Sequence, residues 1–379
     1  MPASSQKNQA KHRSIHNECQ ERNRKETLLE KSPQPGYPGC RLHQKGPHEG
    51  MRNYQNSSAA IGLLVLLAFL LLPRISAPQA LQVIGHRGAA GLAPENTLAA
   101  FGKALDLGVD GIELDVLLTA DGEVVVHHDF ALKPEIARGP DGKWISTFSR
   151  PPLIKDLTLA EIKSYDVGRL KPSTSYGRRY PDQQPSDGER IPTLKEVLSL
   201  LKSRGDEKTT LWIEIKTSPE KPELTPPPER VVEAVIKVLE QEGALQRALF
   251  LSFDWRNLSH AQRIASAVPT VYLSLVSPNL DNIKPGQPGP SPWTAGIDVD
   301  LFHGSIPKAV LAAGGKHWGP HYQSITRPIL EDARNLGLAV HPWTVDDPDA
   351  MIRLIDMKVD GIITNRPDRL KSILQRPSP

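Results

Sequence analysis

Four short stretches of the chain carry carboxylates, imidazoles and cations at spacings that suit acid/base and metal chemistry. Glu113-Leu114-Asp115 sets two carboxylates two residues apart, and in a strand such neighbours point to the same face. Trp212-Ile213-Glu214-Ile215-Lys216 repeats the pattern with Glu214 and Lys216. His86-Arg87-Gly88 and His127-His128-Asp129 add imidazoles, the side chains whose charge changes nearest neutral pH. Glu113, Asp115 and Glu214, brought together in a low-dielectric pocket, cannot all stay ionised without a compensating cation. All-oxygen donors select one hard divalent ion, Mg²⁺ or Ca²⁺, rather than zinc. The plain alternative is a structural network in which Arg87 and Lys216 neutralise the acids. Beside such a centre one His can take a proton while another gives one, and Arg87 and Lys216 can hold the oxygens of an anionic phosphoryl group. His86 and His128 are the candidate pair: His127 and His128 cannot share a face, and His128 is in phase with Val124 and Val126. His303, His317, His321 and His341 have weaker contexts and are expected at structural or rim positions.

These groups need strands that deliver them to one end of one sheet. Candidate strands run over 81–85, 111–116, 123–128, 210–215, 249–253, 271–276, 316–319, 338–344 and 361–364, with helices expected over 97–107, 194–202, 228–242, 255–265, 326–336 and 348–358. Strand–helix alternation argues for parallel βαβ units. About eight such units without a Gly-rich nucleotide turn favour a closed (β/α)₈ TIM barrel over an open sheet. Catalytic groups gather at the carboxyl ends of barrel strands, so the acids enter the lumen if Ile112, Leu114, Ile213 and Ile215 face the helices. Residues from about 130 to 190, with Pro151-Pro152 and Gly177-Arg178-Arg179, are too long for an ordinary connection and are expected to form an insertion on the rim after an early strand.

The chain has 379 residues, 39% of them hydrophobic, with a formal net charge of +3, which excludes collagen-like, coiled-coil and wholly disordered classes. Residues 1–58 hold ten Lys/Arg against five Asp/Glu, a net of +5, so the remainder carries −2 and no basic face for nucleic acid is expected on it. That tail is polar and poor in aromatics, a disordered composition, and Met51 within it offers a second start. Both cysteines, Cys19 and Cys40, lie in it, so the remaining chain has no thiol nucleophile, Cys-bound zinc or disulfide. Residues 59–80 have the layout of a signal-peptide apolar core or a short membrane anchor. Either would deliver the 81–376 domain across a membrane, exported to a periplasmic or extracellular space or anchored there with membrane contact through 59–80.

Together with Pro94-Glu95-Asn96-Thr97, Asp121-Gly122, Trp343-Thr344-Val345 and Asp360-Gly361-Ile362-Ile363-Thr364-Asn365-Arg366-Pro367-Asp368, these stretches resemble the glycerophosphodiester phosphodiesterase family over about residues 83–374. The resemblance implies a TIM barrel that hydrolyses small glycerophosphodiesters to an alcohol and sn-glycerol 3-phosphate with a divalent metal. It makes Glu113, Asp115 and Glu214 metal ligands, His86 and His128 the acid/base pair, and Arg87 and Lys216 phosphate contacts. Trp343 becomes a wall of the substrate site, and Glu95 a buried partner near the first histidine or else a helix-start carboxylate. His341-Pro342 departs from the pattern, because proline within a central strand forfeits a ladder hydrogen bond. A lysophospholipase-D-like or sphingomyelinase-D-like enzyme, a glycoside hydrolase, and a non-catalytic lipid- or phosphate-binding barrel are the competing readings. The sequence leaves oligomeric state open.

Overall fold

A computed structural model describes residues 80–146, 150–278 and 281–375. The expectations for the tail at 1–58 and for the apolar segment, Ala80 apart, lie outside the described residues. Among the described residues no helix is long and apolar enough to cross a membrane.

The described strands are β1 (Gln82–Gly85), β2 (Gly111–Leu118), β3 (Val124–Val126), β4 (Thr210–Ile215), β5 (Ala248–Ser252), β6 (Thr270–Ser274), β7 (His317–Pro320), β8 (Ala339–Val340) and β9 (Gly361–Thr364). All but β3 pair in parallel in the order β8-β7-β6-β5-β4-β2-β1-β9. The ends of that path meet: Asp360 N donates to Val340 O, Ile363 N to Pro342 O and Val345 N to Ile363 O, each at 3.0 Å. The sheet is therefore the expected TIM barrel.

Helices between the strands begin either at a capping side chain or, at Pro228–Gln241, Arg327–Asn335 and Pro367–Leu374, with proline in the first turn and no side-chain cap. They are α1 (Leu98–Asp106), α2 (Leu159–Ile162), α3 (Leu194–Ser203), α4 (Pro228–Gln241), α5 (Trp255–Ile264), α6 (Ile306–Ala312), α7 (Arg327–Asn335), α8 (Pro348–Asp356) and α9 (Pro367–Leu374). Thr193 and Glu196 close a reciprocal capping box at α3, and Asp347 caps α8 through Ala350 N.

Strand alternation splits the core in two. Ile112, Leu114, Val116, Leu211, Ile213 and Ile215 join the cluster under the helices, while Ile84, Trp212, Leu251, Val271, Leu273 and Ile363 fill the lumen. His341, 2% exposed, meets the Trp212 ring edge-on at 4.8 Å, so it is a structural lumen residue.

Three expectations change. The 123–128 segment is not a parallel barrel strand: β3 runs antiparallel to β2, off the barrel path, and Val126 N bonds Pro192 O. The strand expected over 338–344 is regular only at Ala339–Val340, because Pro342 has no N–H to give, although its carbonyl still accepts Ile363 N. Between β6 and β7, where no helix is expected, lies α6, a short helix started by the Ser305 cap with Pro307 in its first turn. Between β3 and α3, residues 127–192 have a small core of their own, in which Leu132, Ile154, Ile162 and Val167 pack on Leu117 and Val125.

Trp212 is 1% exposed at the centre of the lumen, and Trp212→Ala should cost about 3–5 kcal/mol in chemical denaturation.

Candidate active site

β1 ends in a turn with no room for side chains at its glycines. A Cβ on Gly85 would lie 2.1 Å from Gly88 O, and one on Gly88, whose φ is +85°, 2.6 Å from the Ala100 carbonyl carbon. The turn therefore lies flat on α1, with Arg87 at φ +50°. Its backbone grips β2: Arg87 N donates to Glu113 Oε2 at 2.8 Å and Gly88 N to Glu113 O at 3.2 Å.

With Ile112 and Leu114 turned to the helices, Glu113 and Asp115 enter the lumen mouth, and the register places Glu214 directly beside Asp115. One carboxylate oxygen from each of the three acids lies within 4.8 Å of the others, and the side chains are buried. Arg87 and Lys216 surround them. Arg87 Nε is 3.3 Å from Asp115 Oδ2, and Lys216 Nζ is 2.6 Å from Glu214 Oε1 and 3.5 Å from Asp115 Oδ1. Glu95 is also buried, but not as a helix-start carboxylate: Thr97 caps α1, and Glu95 takes Arg87 Nη1 at 2.8 Å and the Tyr176 hydroxyl. Asn96 Nδ2 donates to Asp115 Oδ2 at 2.9 Å.

Ionised together, these acids would outnumber the cations beside them. Glu95, Glu113, Asp115 and Glu214 pair with Arg87 and Lys216, so with all four carboxylates charged and the histidines neutral the ion-paired cluster would carry a charge of −2. Glu113 Oε1 and Asp115 Oδ1 are buried without a hydrogen-bond partner. Burial, with Asp115 and Glu214 adding repulsion, holds the Glu113 carboxyl well above its ordinary range. Burial likewise pushes Glu214 up to about 7 against the pull of Lys216. Asp115 goes the other way, because His128, Arg87, Lys216 and the Asn96 amide outweigh its burial.

Both candidate histidines face the cavity between these groups, and each is held from behind. His86 Nδ1 lies 2.7 Å from Asn365 Oδ1, and the Asn365 amide is fixed by Nδ2 donating to Asp346 Oδ2 at 2.7 Å. A carbonyl oxygen only accepts, so the proton is on Nδ1 and the lone pair on Nε2, 3.8 Å from Glu113 Oε2. His128 Nδ1 lies 2.5 Å from Asp129 Oδ1, and Lys133 Nζ steadies Asp129 at 3.5 Å. Burial and then Arg87 lower His86 to about 3; burial, Arg87 and Lys216 lower His128 to about 4. His127 is turned away toward Ala131 O at 3.3 Å. The phase argument for His128 does not hold, since Val124 and Val126 pack under the helices; β3 ends before the histidines, and the departing loop turns His128 inward.

The cavity, about 260 Å³, is lined by His86, Arg87, Glu113, His128, Glu214, Trp343 and Asn365, with Lys133, Tyr176, Arg179 and Tyr180 from the segment between β3 and α3. Trp343 is pinned by its indole N–H on Gly319 O at 2.8 Å and packs edge-on against Phe253. The structure thus gathers His86, Arg87, Glu95, Glu113, Asp115, His128, Glu214, Lys216 and Trp343 around one opening. Sequence reasoning missed the roles of Asn96, Asp346, Asn365 and Tyr176; Asn96 and Asn365 stood within quoted motifs, but Asp346 and Tyr176 gave no local signal.

The family model described as Glycerophosphoryl diester phosphodiesterase family matches residues 86–369. The chain belongs to this family. A curated relative named glycerophosphodiester phosphodiesterase, from Caldanaerobacter subterraneus subsp. tengcongensis, is 33% identical over 78% of this chain and 98% of its own. The crystal structure of a putative glycerophosphoryl diester phosphodiesterase from Silicibacter pomeroyi is 36% identical, with a TM-score of 0.70 over 79% of this chain and 94% of that one. A phosphodiesterase from Oleispira antarctica, solved in complex with the product sn-glycerol-3-phosphate, is 25% identical with a TM-score of 0.57, over 78% of this chain and 97% of that one.

A carboxyl whose folded pKa lies above its unfolded value stabilises the fold less as pH rises between the two. In metal-free protein, Glu214 should therefore remove stability from about pH 4.5 to about 7. Glu214→Gln abolishes that contribution, so the stability of the variant relative to the unaltered protein should climb across this window in urea titrations at stepped pH.

Proposed function

We propose that this chain hydrolyses glycerophosphodiesters to an alcohol and sn-glycerol 3-phosphate, with Glu113, Asp115 and Glu214 holding one divalent cation, Mg²⁺ or Ca²⁺. The observation that carries the reading is the lumen cluster itself: three buried carboxylates with an oxygen each within 4.8 Å of the others, and two buried oxygens, Glu113 Oε1 and Asp115 Oδ1, without a hydrogen-bond partner. All-oxygen donors fit such an ion. The family membership and the product complex of the Oleispira relative support the substrate class. When bound, the cation supplies the positive charge that draws in the phosphodiester and offsets charge developing on its non-bridging oxygens.

The remaining roles follow from the side chains. Arg87 and Lys216, already beside the acids, present positive charge to the phosphate. His86, locked by Asn365 with a bare Nε2 toward the cavity, accepts the proton of the attacking hydroxyl, either water or the substrate's own glycerol hydroxyl. His128 has a carboxylate behind it, and a carboxylate stabilises imidazolium where a neutral amide does not. A bound anionic phosphodiester raises its proton affinity further, so His128 donates from Nε2 to the departing alcohol oxygen. Trp343 walls the site. The apolar run at 59–80 supports delivery of this domain across a membrane, which N-terminal sequencing of the mature protein tests.

His86→Ala and His128→Ala should each lower kcat by about 10²–10⁴-fold. On a p-nitrophenyl diester, whose leaving group needs no proton, His128→Ala should lose much less while His86→Ala loses as much as before. Equal losses on both substrates would refute the division of roles.

Chelation should abolish turnover, and add-back of Mg²⁺ or Ca²⁺ identifies the ion. Turnover indifferent to chelator would return the acids to a structural network. Trapping a cyclic glycerol phosphate would establish attack by the glycerol hydroxyl, and single-step incorporation of labelled water without it would establish direct hydrolysis.

A further inference from the structure

The polar cavity has a neighbour. A second cavity of about 420 Å³ opens beside it and shares His128, Glu214, Phe253 and Trp343 with it, but not His86 or Arg87. Its separate wall is formed by Phe130, Ile215, Leu275 and Trp293. Volumes in this range are those of ligand sites rather than packing defects.

The wall is built. Asn282, fully buried, accepts Leu275 N at 2.8 Å and donates to Leu273 O at 3.1 Å and Phe253 O at 3.2 Å. Ser291 Oγ bonds Asn282 O at 2.8 Å and also accepts Trp293 N at 3.3 Å. One buried amide thus clips the end of β6 to the segment carrying Trp293, and the apolar surface stays half-exposed around a fixed opening. Such surface facing water is costly unless something covers it.

Charge decides what covers it. The acids in the lining are Asp129, taken by His128 at 2.5 Å and Lys133 at 3.5 Å, and Glu214, taken by Lys216 at 2.6 Å. Lys216 Nζ stands 5.9 Å from the Phe253 ring centroid. A quaternary ammonium would find aromatic faces there, but no unpaired carboxylate, and a fixed cation already in place. An uncharged hydrocarbon meets neither obstacle.

Position decides which end of the substrate enters. The cavity is lined by the histidine assigned to the leaving oxygen and not by the one assigned to the attacking hydroxyl. The geometry points to this cavity as the subsite for the leaving alcohol, and to an uncharged alcohol with a hydrocarbon body as its occupant. This rests on the proposed diesterase reading and narrows its substrate class: diesters of glycerol phosphate with apolar alcohols are preferred over those with charged ones.

The test compares kcat/KM of the full chain on glycerophosphoethanol, glycerophosphobutanol, glycerophosphohexanol and glycerophosphocholine. Each buried CH₂ should raise it by roughly two- to fourfold, so the hexyl diester should exceed the ethyl by about tenfold or more and should exceed the choline diester. Leu275→Gln and Trp293→Ala should each reduce the hexyl-to-ethyl ratio about fivefold or more, with unfolding midpoints measured on the same samples to show that the variants are folded. Turnover of the ethyl diester with a flat chain-length series, or with choline preferred, would overturn this inference and leave the diesterase reading standing. Failure to cleave any of the four diesters would overturn both.

Discussion

The mouth of this barrel is governed by the crowding of buried carboxylates. Glu95, Glu113, Asp115 and Glu214 pair with two cations, in a setting where each unpaired charge costs several kcal/mol after relaxation, and the crowding holds the Glu113 and Glu214 carboxyls above their ordinary range. The backbone leaves no easy escape. Glu113 and Asp115 share a face because Ile112, Leu114 and Val116 must share the other, and parallel register sets Glu214 beside Asp115. Relieving the crowding by turning one acid outward would drive it into the apolar layer under the helices. The strand pattern that stabilises the barrel therefore also concentrates the carboxylates at its mouth.

Around that cluster, the segment between β3 and α3 does more than cover the rim. Tyr176 holds one Glu95 oxygen while Arg87 holds the other, so the guanidinium next to His86 is braced through a residue nearly a hundred positions on. Tyr180 accepts from Asn365 at 3.3 Å and sits in the polar cavity beside Arg179. The His86 tautomer is thus set by a chain from Asp346 through Asn365, and the His128 tautomer by its own sequence neighbour. Two imidazoles that line one cavity are thus supported differently, one leaning on an amide and the other on a carboxylate.

What could be read from the sequence were features carried by a two-residue period or by adjacent residues. The alternation at 111–116 and 210–215 disclosed which acids face the lumen, and His86-Arg87-Gly88 disclosed a tight turn, because only short-range geometry was needed. Asp346 behind Asn365 and Tyr176 behind Glu95 were illegible, since their meaning depends on loops that approach from distant parts of the chain. The 123–128 segment looked like a barrel strand for a physical reason: a strand's period is the same whether its partner runs parallel or antiparallel, so Val124–Val126 gave no hint that β3 lies off the barrel path. His128 lines the cavity and pairs with its neighbour Asp129, but the phase argument that pointed to it failed because the strand stops short of it.

The lumen floor explains why these charges matter so much. Beneath the acids, Trp212, Ile84, Leu251, Val271 and Ile363 pack with His341 into a dry plug, and the Glu113–Trp212 register puts an indole beside a carboxylate. A charge above such a layer is screened poorly, so Arg87 and Lys216 act on their partners more strongly than they would at an open surface. The lumen layer includes Phe253 and Trp343 at its edge, and these two rings are shared by the polar cavity and the one walled by Leu275 and Trp293. The mouth is consequently two-sided, charged around His86 and Arg87 and more apolar toward Leu275 and Trp293.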